Sequence, residues 1–280
     1  MLTRFFTQNV LHNFLLDDPA SFGLMKQIVR RYQITTDQST VNETIISEIY
    51  HYISKSYRNE YFYKNTLLNK LIINAHRLNT TTALTEVPIA KSKADFIMIN
   101  GKAVVYEIKT ELDTFERLLT QVNDYYKAFD HVCVVTSEHQ LPELQQLLGD
   151  SPVGFYILTK KNTIRRIKEP EQFRESLDAH IMFKILNRPE YESIILREFG
   201  KLPDVTPVRY YRECQKLLCE FPLDKFYMFF LRELKKRNRI EIIDYSSIPE
   251  ALHFLVYFSK DAQKGLGELQ NFLCSHYDGG

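Results

Sequence analysis

Two carboxylates and one lysine fall on neighbouring segments that both have the pattern of a β-strand. Asp95 lies in the first segment, and Glu107 and Lys109 lie near the end of the second. Because side chains alternate across a strand, Glu107 and Lys109 point to one face of a strand that is otherwise apolar. Charged groups are costly to bury unless they pair or bind a metal ion. The pattern therefore predicts a functional site at this strand end.

The chemistry that these residue types favour is phosphodiester hydrolysis. Two carboxylates on adjacent strands can supply oxygen ligands to a hard divalent cation such as Mg²⁺ or Mn²⁺. Such an ion polarises a phosphoryl oxygen and lowers the pKa of its bound water. Asp95 and Glu107 are the predicted metal ligands, and Lys109 is predicted to position or activate the water. A structural salt bridge at the strand end is the alternative interpretation.

The turn at residues 100–101, Asn followed by Gly, decides whether the two carboxylates share a face. A strict two-residue turn would put Asp95 and Glu107 on opposite faces of the sheet. A loop that is one residue longer, or a bulge of the same parity, would pair Ile99 with Ala103 and place both carboxylates on one face. The predicted site requires this second register.

Strands alternate with helices around these residues, which predicts an α/β fold with a mixed central sheet. Helical spacing of apolar residues predicts a helix that begins after Thr40, which is its candidate N-cap, and a second helix over residues 59–78. The segments predicted for the centre of the chain are strands at residues 82–89, 93–99, 102–109, 132–136, 153–159 and 163–167, and helices at residues 113–129 and 143–148.

Three zones are expected along the chain. Residues 1–80 form an N-terminal helical region packing on the core, and residues 81–168 form the core that carries the site. A charged break at Glu169-Pro170-Glu171 marks the expected boundary of a mostly helical C-terminal domain, residues 169–280, whose role the pattern does not define.

This segment resembles the PD-(D/E)XK nuclease superfamily, which has the restriction-endonuclease-like fold. Asp95 matches the first acid of the motif, and Glu107-Ile108-Lys109 matches its (D/E)XK string. Ala94 stands where the motif has proline, a departure that leaves the charged groups intact. The resemblance covers residues 40–140, and the string from Glu107 to Tyr125 is similar to an uncharacterised bacterial branch, the sce-type family.

The resemblance implies further site residues. Gln121 and Tyr125 resemble the Gln-x-x-x-Tyr element that several nuclease branches place beside the active site, and one helical turn separates them. The superfamily often adds a glutamate from a helix before the sheet, for which Glu48 is the candidate. Glu86, on the strand before Asp95, is a rival third acid.

The function that follows from the resemblance is a metal-dependent nuclease with Mg²⁺ or Mn²⁺, acting on DNA in preference to RNA. Arg117, Lys91 and Lys93 are candidate contacts to nucleic-acid phosphates. Many enzymes of this fold act as homodimers, so a homodimer is one expected arrangement. The alternative function is a catalytically inactive nuclease-fold module that binds nucleic acid or a protein partner.

Composition limits the other function classes. Lys and Arg total 36 against 35 Asp and Glu, and this balance argues against a histone-like coat for DNA but not against a local basic groove. The most apolar stretch, residues 251–258, is too short to span a membrane. Four cysteines without a Cys-x-x-Cys pair are typical of a reducing compartment, which predicts a cytoplasmic protein. Walker A and Gly-x-Gly-x-x-Gly strings are absent from the sequence, so an ATP or dinucleotide site is not expected.

Overall fold

The computed structural model of the protein describes residues 1–16, 19–75, 78–237 and 244–278. Within these residues the chain forms two compact units. We call them the helical unit, which consists of Met1–Asn79, Lys160–Ile164 and Ile240–Gly280, and the sheet unit, which consists of Thr80–Thr159 and Arg165–Arg239.

The division differs from the expected C-terminal domain at residues 169–280. Residues 169–237 belong to the sheet unit, because helices in this segment bury Phe183 and Phe230 in the same hydrophobic cluster as Val134 of the sheet. Burial against a sheet face provides the apolar contact that an amphipathic helix needs. The expected boundary at residue 169 is therefore corrected.

Residues 244–278 belong instead to the helical unit. The backbone N–H of Asn42 donates to the carbonyl of Ser275 at 3.0 Å, and the Asn42 side-chain amide donates to the carbonyl of Phe272 at 3.0 Å. These bonds join the two ends of the chain within one unit. Residues 238–243 and 279–280 of the expected domain lie outside the described residues.

A mixed sheet of six strands lies in the sheet unit, and its spatial order follows the sequence order. The strands are β1 (Thr82–Ile89), β2 (Ser92–Asn100), β3 (Lys102–Ile108), β4 (Val132–Ser137), β5 (Gly154–Leu158) and β6 (Ile164–Lys168). β1, β2 and β3 pair antiparallel, whereas β3, β4 and β5 pair parallel. The predicted α/β class with a mixed central sheet is confirmed.

Helices occupy most of the remaining described residues. In chain order they are α1 (Leu2–Phe5), α2 (Gln8–Leu15), α3 (Pro19–Tyr32), α4 (Asn42–Ser56), α5 (Glu60–Leu68), α6 (Leu118–Tyr125), α7 (Leu141–Leu148), α8 (Ala179–Ile185), α9 (Arg188–Phe199), α10 (Pro207–Cys219), α11 (Leu223–Leu234), α12 (His253–Tyr257), α13 (Lys260–Lys264) and α14 (Leu266–Cys274).

Two helix predictions in the helical unit are confirmed with changes at their ends. α4 follows Val41 rather than a capping Thr40, because the Thr40 hydroxyl donates to the Asp37 carboxylate within a turn. The helix predicted over residues 59–78 consists of α5 followed by a π-helical turn, Asn69–Ile73. Residues 76 and 77 of that prediction lie outside the described residues.

The helix after the candidate motif is shorter than the predicted residues 113–129. Asp113 does not begin a helix, since its carboxylate accepts bonds from the Thr110 backbone N–H at 2.8 Å and the Thr110 hydroxyl at 2.6 Å. These bonds hold the chain in a turn after β3. α6 begins at Leu118, and it brings Gln121 and Tyr125 back to the end of β3.

Among the described residues, every helix is too short or too polar to span a membrane.

Candidate active site

The hairpin of β2 and β3 places Asp95 opposite Glu107. Ile99 pairs with Ala103 and Phe96 pairs with Tyr106, so the next pair in this register is Asp95 with Glu107. Directly opposed residues of an antiparallel pair point to the same face of the sheet. The register that the predicted site requires is therefore the one observed.

A single glycine makes this register possible. Asn100 pairs with Lys102, which leaves Gly101 alone at the tip of the turn. Gly101 has φ of +75°, in the left-handed region that glycine adopts without the steric cost of a Cβ atom. The Asn-Gly signal thus marked the turn correctly, but not its pairing.

Glu107 is the most enclosed charged group of the site. Its side chain lies on β3 and the residue is 1% exposed. Oε1 lies 2.8 Å from Nζ of Lys109, and Oε2 accepts a hydrogen bond of 2.5 Å from the Tyr125 hydroxyl. Both carboxylate oxygens therefore have a charged or strongly polar partner, which offsets the cost of burying the charge.

Lys109 follows the last residue of β3 and is 9% exposed. Its backbone N–H donates to the carbonyl of Val135 on β4, which extends the parallel pairing by one step. Its Nζ also donates to Oε1 of Gln121 at 2.8 Å. The ammonium group is thus held between a carboxylate of the sheet and an amide of α6.

Tyr125 lies one helical turn after Gln121 and is fully buried. Burial raises the pKa of its hydroxyl far above the ordinary value, and the negative charge of Glu107 raises it further. The group therefore stays protonated and acts as a hydrogen-bond donor. Its oxygen is also 3.0 Å from the backbone carbonyl of Lys93.

Asp95 is half-buried on β2. Its Oδ2 accepts a hydrogen bond of 2.8 Å from the backbone N–H of Ile108, the residue between Glu107 and Lys109. The backbone carbonyl of Asp95 accepts a hydrogen bond of 2.8 Å from the Thr85 hydroxyl. These two bonds fix Asp95 between β1 and β3.

Glu86 stands opposite Asp95 on the other neighbouring strand. Thr85 pairs with Phe96 and Val87 pairs with Ala94, which brackets the position of Glu86 against Asp95. A carboxylate oxygen of Glu86 lies within 4.8 Å of one of Asp95.

The backbone of Glu86 is unusual for a residue within a strand. It has φ of +55°, which a residue with a side chain adopts only at a steric cost. The Glu86 carboxylate also forms an ion pair with Nζ of Lys93. Of the two rival third acids, Glu86 is therefore the one that lies beside Asp95 in the sheet unit.

The other predicted residues occupy varied positions. Glu48 is exposed on α4 and belongs to the helical unit, whereas Asp95 and Glu107 belong to the sheet unit. Arg117 is exposed at the start of α6. Lys91 is exposed in the turn between β1 and β2, and Lys93 is exposed and paired with Glu86.

Sequence reasoning missed one polar residue that helps to position the site. Asp124, on α6 beside Tyr125, is buried and accepts bonds from the Ser92 hydroxyl at 2.8 Å and from Nζ of Lys127 at 2.6 Å. Burial would raise the pKa of its carboxyl, but these bonds outweigh burial and lower it. The charge of Asp124 beside apolar neighbours, three residues before Lys127, was the available signal.

The donor set fits a hard divalent cation. Asp95 and Glu86 bring carboxylate oxygens within 4.8 Å of one another, and Mg²⁺ and Mn²⁺ prefer oxygen ligands of this kind. Glu107 is a third carboxylate on the neighbouring strand, and both of its oxygens contact protein partners. Lys109 supplies a positive charge beside Glu107, as a site for a phosphate would need.

Comparison with known proteins identifies a family. The family described as bacteriophage P4 protein cII matches residues 54–247, more than half of the 280 residues. The chain belongs to the bacteriophage P4 cII family. In this cII-family chain the match includes all six strands and every candidate site residue of the sheet unit, whereas Glu48 precedes it.

No curated protein matches this cII-family chain. A solved structure, the SPO1766 protein of unknown function from Silicibacter pomeroyi, is similar at 16% sequence identity and a TM-score of 0.31. The similarity covers 49% of this chain and 91% of that chain.

Proposed function

We propose that this cII-family protein is a metal-dependent nuclease that hydrolyses phosphodiester bonds, with DNA favoured over RNA. The observation that carries the proposal is the convergence of Asp95, Glu107 and Lys109 at the end of β3, with Lys109 held by both Glu107 and Gln121. The resemblance of these residues to the PD-(D/E)XK motif supports the same chemistry.

In this proposal Asp95 and Glu107 hold Mg²⁺ or Mn²⁺, and Glu86 completes the set of carboxylates. The bound metal ion would polarise a phosphoryl oxygen and make its water ligand more acidic. Asp95 would bind the ion while its Oδ2 accepts the hydrogen bond from the Ile108 N–H.

Lys109 acts on the substrate side of this arrangement. Its ammonium has three donors, of which Glu107 and Gln121 engage two. The third donor would hold the attacking water or a non-bridging phosphate oxygen. Gln121 keeps the ammonium aimed, because its amide oxygen accepts from Lys109 without neutralising the charge.

Exposed cations of the sheet unit would hold the nucleic-acid backbone. Arg117 and Lys91 are both exposed, and Lys93 is exposed but shared with Glu86. Phosphate contacts of this kind position a strand without reading its sequence. All four cysteines are free thiols, which together with a nucleic-acid substrate favours a cytoplasmic location.

Cleavage assays test the proposal. The full chain is incubated with Mg²⁺ or Mn²⁺ and labelled single-stranded, double-stranded and branched DNA and RNA. Lys109→Ala is expected to lose about 100-fold or more of the cleavage rate. Lys102→Ala, an exposed lysine at the other end of the same strand, is the matched control and is expected to retain it. Equal cleavage by both variants would contradict the proposal.

One observation favours the second candidate function, a binding module without catalysis. Both oxygens of Glu107 and one oxygen of Asp95 already have protein donors, so these partners satisfy the site's charges without a metal ion. Binding of nucleic acid in EDTA together with no cleavage of any substrate would support this module instead.

A further inference from the structure

A polar groove lies wholly within the helical unit. It has a volume of about 320 Å³, which is in the range of small-ligand pockets. Its walls come from α4, α5, the π-helical turn and the segment Lys160–Ile164. The side chains that matter for its chemistry are those of Ser47, His51, Lys70, Lys161, Asn162 and Glu250.

The groove carries an excess of cationic groups. Lys70 and Lys161 are both exposed, and neither forms an ion pair with any residue that the structure describes. His51 adds an imidazole, and Glu250 is the single carboxylate of the lining. Two ammonium groups without an ion pair, contributed to one groove by different segments of the chain, favour an anionic ligand.

Unusual backbone segments present the two lysines. Lys70 lies in the π-helical turn Asn69–Ile73, a form that is rare and that occurs frequently at functional sites. Lys161 precedes Asn162, which has φ of +57° in the turn between β5 and β6. On the third wall, Ser47 and His51 lie one helical turn apart on α4.

The hydrogen-bonding state of the lining indicates which groups are available to a ligand. The hydroxyls of Ser54 and Thr66 already donate to backbone carbonyls of their own helices, each at 2.7 Å. The Ser47 hydroxyl and the ammonium groups of Lys70 and Lys161 can donate hydrogen bonds to a ligand. The side-chain oxygen of Asn162 is buried and has no hydrogen-bond partner among the described residues, so it can accept from a ligand N–H or O–H.

We propose that this groove binds a nucleotide unit through its phosphate, with Lys70 and Lys161 contacting the phosphate oxygens. Asn162 accepts from the sugar or base of the same unit. The groove is a site separate from the carboxylates of the sheet unit and does not depend on their activity. A strand of single-stranded nucleic acid and a free nucleotide offer the same chemistry.

Binding in EDTA, where metal-dependent cleavage is blocked, tests this proposal on the full chain. The probe is a short fluorescein-labelled single-stranded oligodeoxynucleotide, and anisotropy gives its affinity at several salt concentrations. The double variant Lys70→Ala/Lys161→Ala is expected to bind roughly tenfold more weakly. The slope of log K against log salt is expected to fall by about 1.4, since each of two phosphate contacts to a single strand contributes ~0.7.

The matched control is Lys260→Ala/Lys264→Ala, which removes two exposed lysines of the same unit that lie outside the groove lining. It is expected to bind as the parent does, and the unfolding midpoints of both double variants should match the parent. Lys70→Arg/Lys161→Arg is expected to restore most of the affinity. The proposal is overturned if the parent does not bind phosphate-containing probes, or if both double variants bind equally.

An unlabelled nucleoside monophosphate distinguishes the two sources of the phosphate. Displacement of the probe only at far higher concentration than an unlabelled oligonucleotide requires assigns the groove to a nucleic-acid strand. Binding of the monophosphate that is lost in Lys70→Ala/Lys161→Ala, with no preference for the oligonucleotide, assigns it to a free nucleotide. Loss of cleavage in Lys109→Ala has no bearing on these readouts, so failure of the two proposals is distinguishable.

Discussion

The hydroxyl of Tyr125 donates a hydrogen bond of 2.5 Å to Oε2 of Glu107, a carboxylate that is 1% exposed. This bond joins α6 to β3 at the point where the candidate chemistry is located. The same helix reaches Lys109 through Gln121. Positioning of the charged groups therefore depends on one short helix that is separated from them by a turn.

Removing the Tyr125 hydroxyl is expected to destabilise the protein. Tyr125→Phe leaves Glu107 with one unpaired buried oxygen, at a cost of about 1.5–3 kcal/mol for a hydrogen bond to a charged group. The free energy of unfolding in urea measures this loss. Cleavage should decrease too, because Glu107 is less constrained.

The neighbouring Tyr126 provides a matched control. It is also buried, but its hydroxyl has no hydrogen-bond partner among the described residues. Tyr126→Phe is therefore expected to change the free energy of unfolding by less than ~0.5 kcal/mol or to stabilise the protein. Equal destabilisation by the two variants would show that the Tyr125–Glu107 bond contributes nothing specific.

Glycine is expected to be better tolerated than alanine at position 86. Because Glu86 has φ of +55°, Glu86→Gly relieves a steric cost that Glu86→Ala retains. We expect Glu86→Gly to be the more stable variant by about 1 kcal/mol, measured by urea denaturation. At Thr85, which lacks a positive φ, the order should reverse, with Thr85→Gly less stable than Thr85→Ala.

Divalent metal is expected to stabilise the folded protein through Asp95. A ligand at 100 times its dissociation constant adds about 2.7 kcal/mol, which raises the unfolding temperature. Mg²⁺ or Mn²⁺ should raise the melting temperature of the parent and of Asp204→Asn, an exposed aspartate outside the site. Asp95→Asn should lose most of the shift. A shift of the same size in Asp95→Asn would exclude this carboxylate as a ligand.

Asp130 is expected to make stability dependent on acid pH. Its carboxylate, on the sheet unit, accepts bonds from the Tyr227 hydroxyl at 2.6 Å, His131 Nδ1 at 2.7 Å and Arg174 Nε at 2.9 Å. Burial would raise the pKa of this carboxyl, but the bonds outweigh burial and hold the pKa well below its usual value.

The consequence of this lowered pKa has a definite sign. The unfolded carboxyl has a pKa near 3.9, so the contribution of Asp130 is complete above that pH and is lost as the pH falls toward the folded pKa. Asp130→Asn should cost about 3–5 kcal/mol of unfolding free energy at pH 7. The difference from the parent should shrink at pH 3. Asp204→Asn, measured alongside, should show no such convergence.

Local pattern was sufficient to predict the strands and the first members of the candidate site. The predicted strand at residues 82–89 coincides with β1, because alternation and bounding turns are properties of the segment itself. Asp95, Glu107 and Lys109 were identifiable for the same reason, since charged residues stand out in apolar strands. The turn between them left two registers open, and pairing across the sheet selected one.

A turn after β3 and the pairing of the strands decided the rest. The helix after the motif begins at Leu118 rather than residue 113, because the Asp113 carboxylate accepts a hydrogen bond from the Thr110 backbone N–H in a turn. The choice of Glu86 over Glu48 as the acid beside Asp95 depends on strand pairing, and no property of either residue's neighbours in the chain reveals it.

The sequence by itself determined the type and order of the central strands and helices, and the charged residues that interrupt them. Only the tertiary structure decided that Tyr125 bonds to Glu107, and that residues 169–237 and 244–278 belong to different units. The physical reason is that hydrophobic burial is non-directional. An apolar helix face indicates that it must be covered, but not which part of the chain covers it.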